Sequence, residues 1–305
     1  MSDQRPLCPE HPDRPSVGTC SRCGRFACEP CFHPATGRCT TCDGRTADPL
    51  GVRAQPFEVG RALASAWTLT RAAGPTAIGV SLMMVLTSRA VGILMDSSLA
   101  GENTRLRSFV AIAHSLMMGT YLHGVLIAQM AGAAMGDPIS VPTAIGRSAR
   151  AYGRMFWAKL ASLGAILLGS LACGVPGLIV AVAFWLVLPA AYLQTDRPAT
   201  QVSADLTRGR RWTVLVLLLL SRAVAVGAGV VPLVATRWLA ESMLEPGMET
   251  ALEVVSAGLD LVRELGESFT MAIMLGAYLS LRYAADRELE PLEAAPAAAP
   301  LFRSA

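Results

Sequence analysis

The sequence is short of charge, short of lysine and without a catalytic constellation. Only 16% of its 305 residues are charged, against about 25% in an ordinary soluble domain, and Lys159 is the single basic residue that is not arginine. A net charge of +3 is too small to point to a polyanionic partner. Residues 1–50 lack the apolar run of a signal peptide, so this segment is expected to stay on the side of the membrane where it is made. No nucleophile, base and orienting group stand in a pattern that marks an active site, and the chain reads as a non-enzyme.

Apolar residues are in excess. They make up 52% of the chain and the mean hydropathy is +0.44, which fits an integral membrane protein and not a soluble fold. Cysteine is concentrated at one end: seven of the eight fall between Cys8 and Cys42, and Cys173, alone in an apolar stretch, reads as a small core filler.

The cysteines form a ligand pattern with one histidine: Cys8-x2-His11, Cys20-x2-Cys23, Cys28-x2-Cys31 and Cys39-x2-Cys42. Two ligands three positions apart can grip one ion from a tight turn, and four such pairs suffice for two closed tetrahedral zinc sites. Gly24 follows Cys23, where such a turn needs backbone freedom. A disulfide framework would leave one of seven local cysteines unpaired, and an iron–sulfur cluster would not need His11. His33 reads as a surface histidine. A segment this short cannot bury enough apolar surface to fold alone, so two zinc ions are expected to supply most of its folding free energy, about 10 kcal/mol or more each. Nucleic acid is not an expected partner: residues 1–56 carry seven arginines against six acidic residues, with Phe26 and Phe32 as the only aromatics.

Residues 8–42, CPEHPDRPSVGTCSRCGRFACEPCFHPATGRCTTC, resemble the B-box-type zinc finger, and more closely the short zinc heads that precede the membrane part of some bacterial rhomboid proteins. The likeness covers about an eighth of the chain. It implies a protein-interaction module in which ligands cross-brace, Cys8, His11, Cys28 and Cys31 on one zinc and Cys20, Cys23, Cys39 and Cys42 on the other; the spacing alone leaves sequential pairing open. Rhomboid protease activity is not implied with it. The required Gly-x-Ser-Gly is missing, since Gly169-Ser170 runs into Leu171-Ala172, and neither His114 nor His123 has a clear nucleophile partner.

The reading divides the chain into a zinc head (1–45), a linker (46–56), an all-α polytopic membrane domain (57–286) and a disordered tail (287–305). Six segments approach the length needed to cross a bilayer: 75–95, 109–131, 155–174, 177–194, 212–234 and 266–284. The third and fourth are joined by Gly174-Val175-Pro176-Gly177 and predict an antiparallel hairpin. The sixth is charge-free only over 268–281, and reads either as a span or as the buried end of a longer amphipathic helix. Arg53, Arg61, Arg71, Arg147, Arg150, Arg154, Lys159, Arg197, Arg208, Arg210, Arg211, Arg282 and Arg287 fall in alternate connections, against Arg105, Arg107 and Arg237 in the others. That asymmetry predicts cytoplasmic termini in a cell-membrane protein, and a reducing compartment for the thiolates.

Basic amphipathic helices are expected before odd-numbered spans, with apolar faces Val59, Leu63, Ala66, Trp67, Thr70 and Val141, Ile145, Ala149, Tyr152, Phe156. They either lie in the headgroup interface or pack on the bundle. Leu69-Thr70-Arg71 recurs as Leu206-Thr207-Arg208, and Ser88-Arg89-Ala90-Val91 as Ser221-Arg222-Ala223-Val224, which suggests a repeated unit of one interfacial helix and two spans. The region from Leu188-Pro189-Ala190 to Arg210-Arg211-Trp212 resembles the six-helix membrane domain found beside glycerophosphodiester phosphodiesterases. The catalytic barrel of those enzymes has no room here.

Arg89 and Arg222 fall inside spans, where an unpaired charge costs about 3 kcal/mol on insertion scales. Glu253, Asp260, Glu264 and Glu267 recur along one helical face and are the expected partners. His114 and His123 lie on opposite faces of one span, cannot share a metal, and are expected to make core hydrogen bonds. The functional expectation is a membrane adaptor or scaffold whose head recruits a cytoplasmic protein or assembles copies of the chain. The alternative is a small-solute transporter or transport subunit that uses the buried charges and has a regulatory head.

Overall fold

The computed structural model describes residues 6–9, 11–20, 24–34, 37–39, 50–52, 57–97, 104–194, 197–242 and 249–289. Six short strands build the head: β1 (Leu7–Cys8), β2 (His11–Pro15), β3 (Gly18–Thr19), β4 (Phe26–Ala27), β5 (Phe32–His33) and β6 (Arg38–Cys39). They pair as three antiparallel hairpins, β1 with β2, β3 with β4 and β5 with β6. Ladders of two residues cannot hold a fold by themselves. Its buried apolar cluster consists of Cys8, Cys20, Ala27, Cys28, Cys31 and Cys39, with Phe32 packed against it. The interior of the head is its ligand set.

The rest is helical: α1 (Val59–Ala72), α2 (Gly74–Ser97), α3 (Thr104–Ala134), α4 (Val141–Cys173), α5 (Val175–Ala183), α6 (Val187–Leu193), α7 (Ala199–Thr207), α8 (Arg211–Ser242) and α9 (Glu249–Leu289). Five segments are long and apolar enough to cross a membrane, Gly74–Met95, Thr104–Ala134, Val141–Leu171, Val175–Leu193 and Arg211–Val230, and they overlap the first five predicted spans, the last three ending one to four residues earlier than expected. The sixth predicted segment, 266–284, belongs to the 41-residue α9, about 60 Å long and too rich in charge to join the five. Nearly all of residues 268–281 are buried, and α9 packs against α1, α2, α3 and α8. Its most extensive contacts are with α8 and α1. It also runs past residue 286 to Leu289, beyond the boundary expected for the membrane domain.

Small residues set the helix contacts, as packing between apolar segments in lipid requires. A Cβ on Gly276 would stand 3.4 Å from Ser65 Cβ and 3.6 Å from Leu69, so the glycine admits α1 close to α9. A Cβ on Gly266 would stand 2.8 Å from Ala228 on α8. Gly124 of α3 faces Ser148 and Met155 of α4, where Ser148 Oγ donates to the Tyr121 carbonyl at 2.7 Å. The predicted hairpin is present: Gly174 adopts a φ of 78° between α4 and α5, and the backbones of Gly169 and Gly177 meet so closely that neither could carry a side chain.

Two expectations are corrected. The segment 141–156 is not a separate interfacial helix but the first half of α4, and its buried stripe is Ala144, Ser148, Ala151 and Met155. Val141 and Ile145, on the apolar face expected either at the headgroup interface or against the bundle, are exposed and do not pack on it. Likewise α1 buries Ala62, Ser65, Ala66 and Leu69 and leaves Trp67 exposed. In both helices small residues make up most of the buried stripe, joined by Leu69 and Met155, while Trp67, Val141 and Ile145 face outward, as packing in an apolar environment allows.

The fourth span is broken. Residues 184–186 form a turn between α5 and α6, one turn before Pro189, whose ring cannot follow the Trp185 carbonyl in a continuous helix. Backbone groups freed in an apolar environment must be paired, and Ser203 of α7 does so. Its Oγ accepts from Leu186 N–H at 3.1 Å and donates to the Ala183 carbonyl at 2.7 Å.

Candidate metal centre and intramembrane charges

Cys8 and His11 face each other across the tight β1–β2 turn, a register partnership of the two strands. Cys28 and Cys31 bracket a single 3-10 turn, Glu29–Cys31, in which Cys31 N–H donates to the Cys28 carbonyl at 2.9 Å. Contacts between β1 and β4 bring these turns together, and one ligand atom from each of Cys8, His11, Cys28 and Cys31 lies within 4.8 Å of all the others. His11 Nδ1 stands 3.2 Å from Cys31 Sγ and 3.5 Å from Cys28 Sγ. A tetrahedral zinc with ordinary Zn–S and Zn–N bonds would place such atoms about 3.6 Å apart, so the four fit one ion with little adjustment. The set skips Cys20, which lies between the two pairs in sequence. It is the first of the two sets that the B-box resemblance implies.

Burial and the neighbouring Cys28 and Cys8 sulphurs push the Cys31 thiol up to about 12. Crowded, dehydrated thiols resist ionisation, and a divalent cation at their centre reverses the balance by stabilising the thiolates. Of the second predicted set, Cys20 and Cys39 are buried in the same small core. Gly24 N–H donates to the Cys20 carbonyl at 2.9 Å with a φ of 70° at Gly24, the tight turn that the Cys20-x2-Cys23-Gly24 spacing implied. Cys23 and Cys42 lie outside the described residues. The five described cysteines of the head form no disulfide.

The intramembrane charges resolve into separate groups. Arg89 on α2 binds Asp260 on α9 through Nε at 3.1 Å and Nη2 at 2.5 Å, and its Nη2 also donates to Ser256 Oγ at 2.8 Å. Arg89 thus meets its expected carboxylate, while Ser256 has no signature in sequence. Glu264 does not serve Arg222 as expected. It pairs instead with the adjacent Arg263 at 2.8 Å. The side chain of Glu253 lies outside the described residues.

Lys159 was assigned to a cytoplasmic connection, but it stands within the continuous helix α4, half-buried, and within electrostatic reach of Glu267 and Arg222. Its isolation in an arginine-only sequence and its apolar flanks were the signals that could have found it. His123 lies within reach of Lys159. The expected core hydrogen bonds are missing at two histidine nitrogens: His114 Nε2 and His123 Nδ1 are buried with no partner among the described residues. Comparison with protein-family models, curated proteins and solved structures returned no match.

Proposed function

We propose that the chain is a polytopic protein of the cell membrane whose head, folded around two zinc ions, faces the cytoplasm and binds a protein instead of catalysing a reaction. The observation that carries this reading is the Cys8, His11, Cys28 and Cys31 set, which already offers four ligands to one ion. A zinc so held has no open position for a reactive water and serves structure. Around this scaffold Leu7, Val17 and Phe26 stay exposed, apolar surface of the kind a partner protein covers. The B-box resemblance points the same way.

The topology follows from α9 as a sixth crossing, its charges sheltered by the five apolar spans. Ser280 Oγ donates to the Val52 carbonyl at 3.0 Å, so the approach to α1 and the late part of α9 lie at one end of the bundle. That is the result of an even number of crossings, and with the arginine distribution it favours cytoplasmic termini.

The test is co-purification of the full chain with intact and Cys20→Ser heads. Partners lost with Cys20→Ser while the membrane domain still inserts are the expected result. Solute flux by a chain lacking residues 1–50 would overturn the adaptor reading in favour of transport, the second reading, which the charges of α4, α8 and α9 favour.

A further inference from the structure

Four ionisable side chains on four helices converge inside the membrane domain, and their positions are fixed by packing. On α8 and α9, Thr270 Oγ1 donates to the Ser221 carbonyl at 3.3 Å, which sets Arg222, the next residue, at the depth of Glu267, one turn from Thr270. On α3 and α4, Gly124 faces Met155, which sets His123 beside the face that carries Lys159 one turn further on. Lys159 is in reach of Glu267 and Arg222 and acts on His123. Arg89 on α2 and Asp260 on α9, seven residues before Glu267, form their own pair and take no part.

We propose that the space bordered by α3, α4, α8 and α9 at Lys159 and Arg222 binds an oxyanion, a phosphate or carboxylate of one net negative charge. The charge count favours it: with Lys159 protonated, Lys159 and Arg222 carry two positive charges against the single carboxylate of Glu267. Among the described residues neither Lys159 nor Arg222 makes a hydrogen bond or an ion pair, so their donors are open. Arg222 lies about 16 Å along α8 from Arg211, about half the hydrocarbon thickness, where an uncompensated cation is costly and an anionic ligand stabilising. His123 Nδ1, buried without a partner, adds a neutral group able to donate or accept. Arg222 is exposed and Lys159 and Glu267 are half-buried, so the site opens sideways. Leu163, Leu219 and Val226, exposed one turn from Lys159 or Arg222, form apolar lips suited to the chains of an amphiphile that carries the anionic group.

The test uses the purified full chain in neutral detergent and reads thermal unfolding of the membrane domain with added phosphatidylglycerol, phosphatidylcholine or inorganic phosphate. Stabilisation by phosphatidylglycerol but not phosphatidylcholine is expected for a lipid-borne anion, and stabilisation by phosphate for a free one. Lys159→Met and Arg222→Met should weaken the effective ligand by about tenfold or more, the loss of one charge contact. Lys159→Arg should retain it, and Glu267→Gln should strengthen it by removing the competing carboxylate. Arg211→Ala, at the cytoplasmic end of α8, should leave it unchanged. No stabilisation by either anionic probe, or equal stabilisation of wild type and Lys159→Met, overturns the proposal. So does a weaker response in Glu267→Gln, which would mark the cluster as structural neutralisation alone.

Discussion

Single atoms decide much of this fold. Gly18 lies under the Phe32 ring so closely that a Cβ would stand 2.8 Å from it, and that ring closes over the cysteine core. In the membrane domain, Ser203 Oγ supplies both the donor and the acceptor that the break in the fourth span leaves wanting. Removing it strands two buried backbone groups, each costing about 1–3 kcal/mol. Ser203→Ala is therefore expected to lower the thermal midpoint of the detergent-solubilised chain by several degrees, whereas Ser108→Ala, whose hydroxyl bonds only its own helix at an exposed position, should leave it in place; equal midpoints for the two variants would refute the role given to Ser203. The metal ligands were legible because Cys-x2-Cys and Cys-x2-His spacings encode the turn that grips an ion. Ser203 was not, because a serine in a polar nonapeptide has no sequence mark that separates a bridging role from a solvated one.

Helices in this protein show their lipid side in the sequence and conceal their packing side. The stripe Val141, Ile145 is visible as hydrophobic periodicity yet exposed, while the closest contacts run through Ala144, Ser148, Ala62, Ser65 and Gly276. Where the surroundings are as apolar as the core, burial no longer selects the largest side chains, and close approach of backbones selects the smallest. Between α2 and α9 the specific contact is electrostatic. Arg89 and Asp260 are matched in charge, with two guanidinium nitrogens donating to one carboxylate oxygen, so Arg89→Asp or Asp260→Arg alone should cut the yield of folded protein, and the exchange of both should restore much of it. Monodisperse yield after detergent extraction measures this, and an exchange as poor as either single variant would show that the pair does not hold the helices together. The same exchange between Arg222 and Glu264 has no such expectation, since Glu264 is already held by Arg263.

The whole molecule joins two modules with different sources of stability. The head has a core of cysteines and Phe32, and the bundle has an extended apolar core in which α9 is central. Structural zinc contributes about 10 kcal/mol or more in modules of this kind, so a strong chelator should unfold the head while leaving the helical signal and the extraction behaviour of the bundle intact. Circular dichroism together with thiol labelling checks this: all seven head cysteines should become reactive on chelation with little loss of helicity, and readdition of zinc should reverse the change. Thiols that label equally fast before and after chelation would contradict a metal-dependent head.

By itself the sequence determined the ligand spacing, the first five apolar spans, the helix-breaking turn at Gly174 and the excess of arginine on one set of connections. These are local properties, written in composition and in separations of a few residues. The tertiary structure decided which pairs stand close enough to hold one ion, since Cys8 with His11 and Cys28 with Cys31 are brought together with contacts between β1 and β4. It also decided that Asp260 and not Glu264 answers Arg89, and that Lys159 belongs to a continuous helix and not to a loop. Charge partners across a bundle are set by helix register and rotation, which depend on where glycine and alanine let backbones approach, and no spacing within one segment records that.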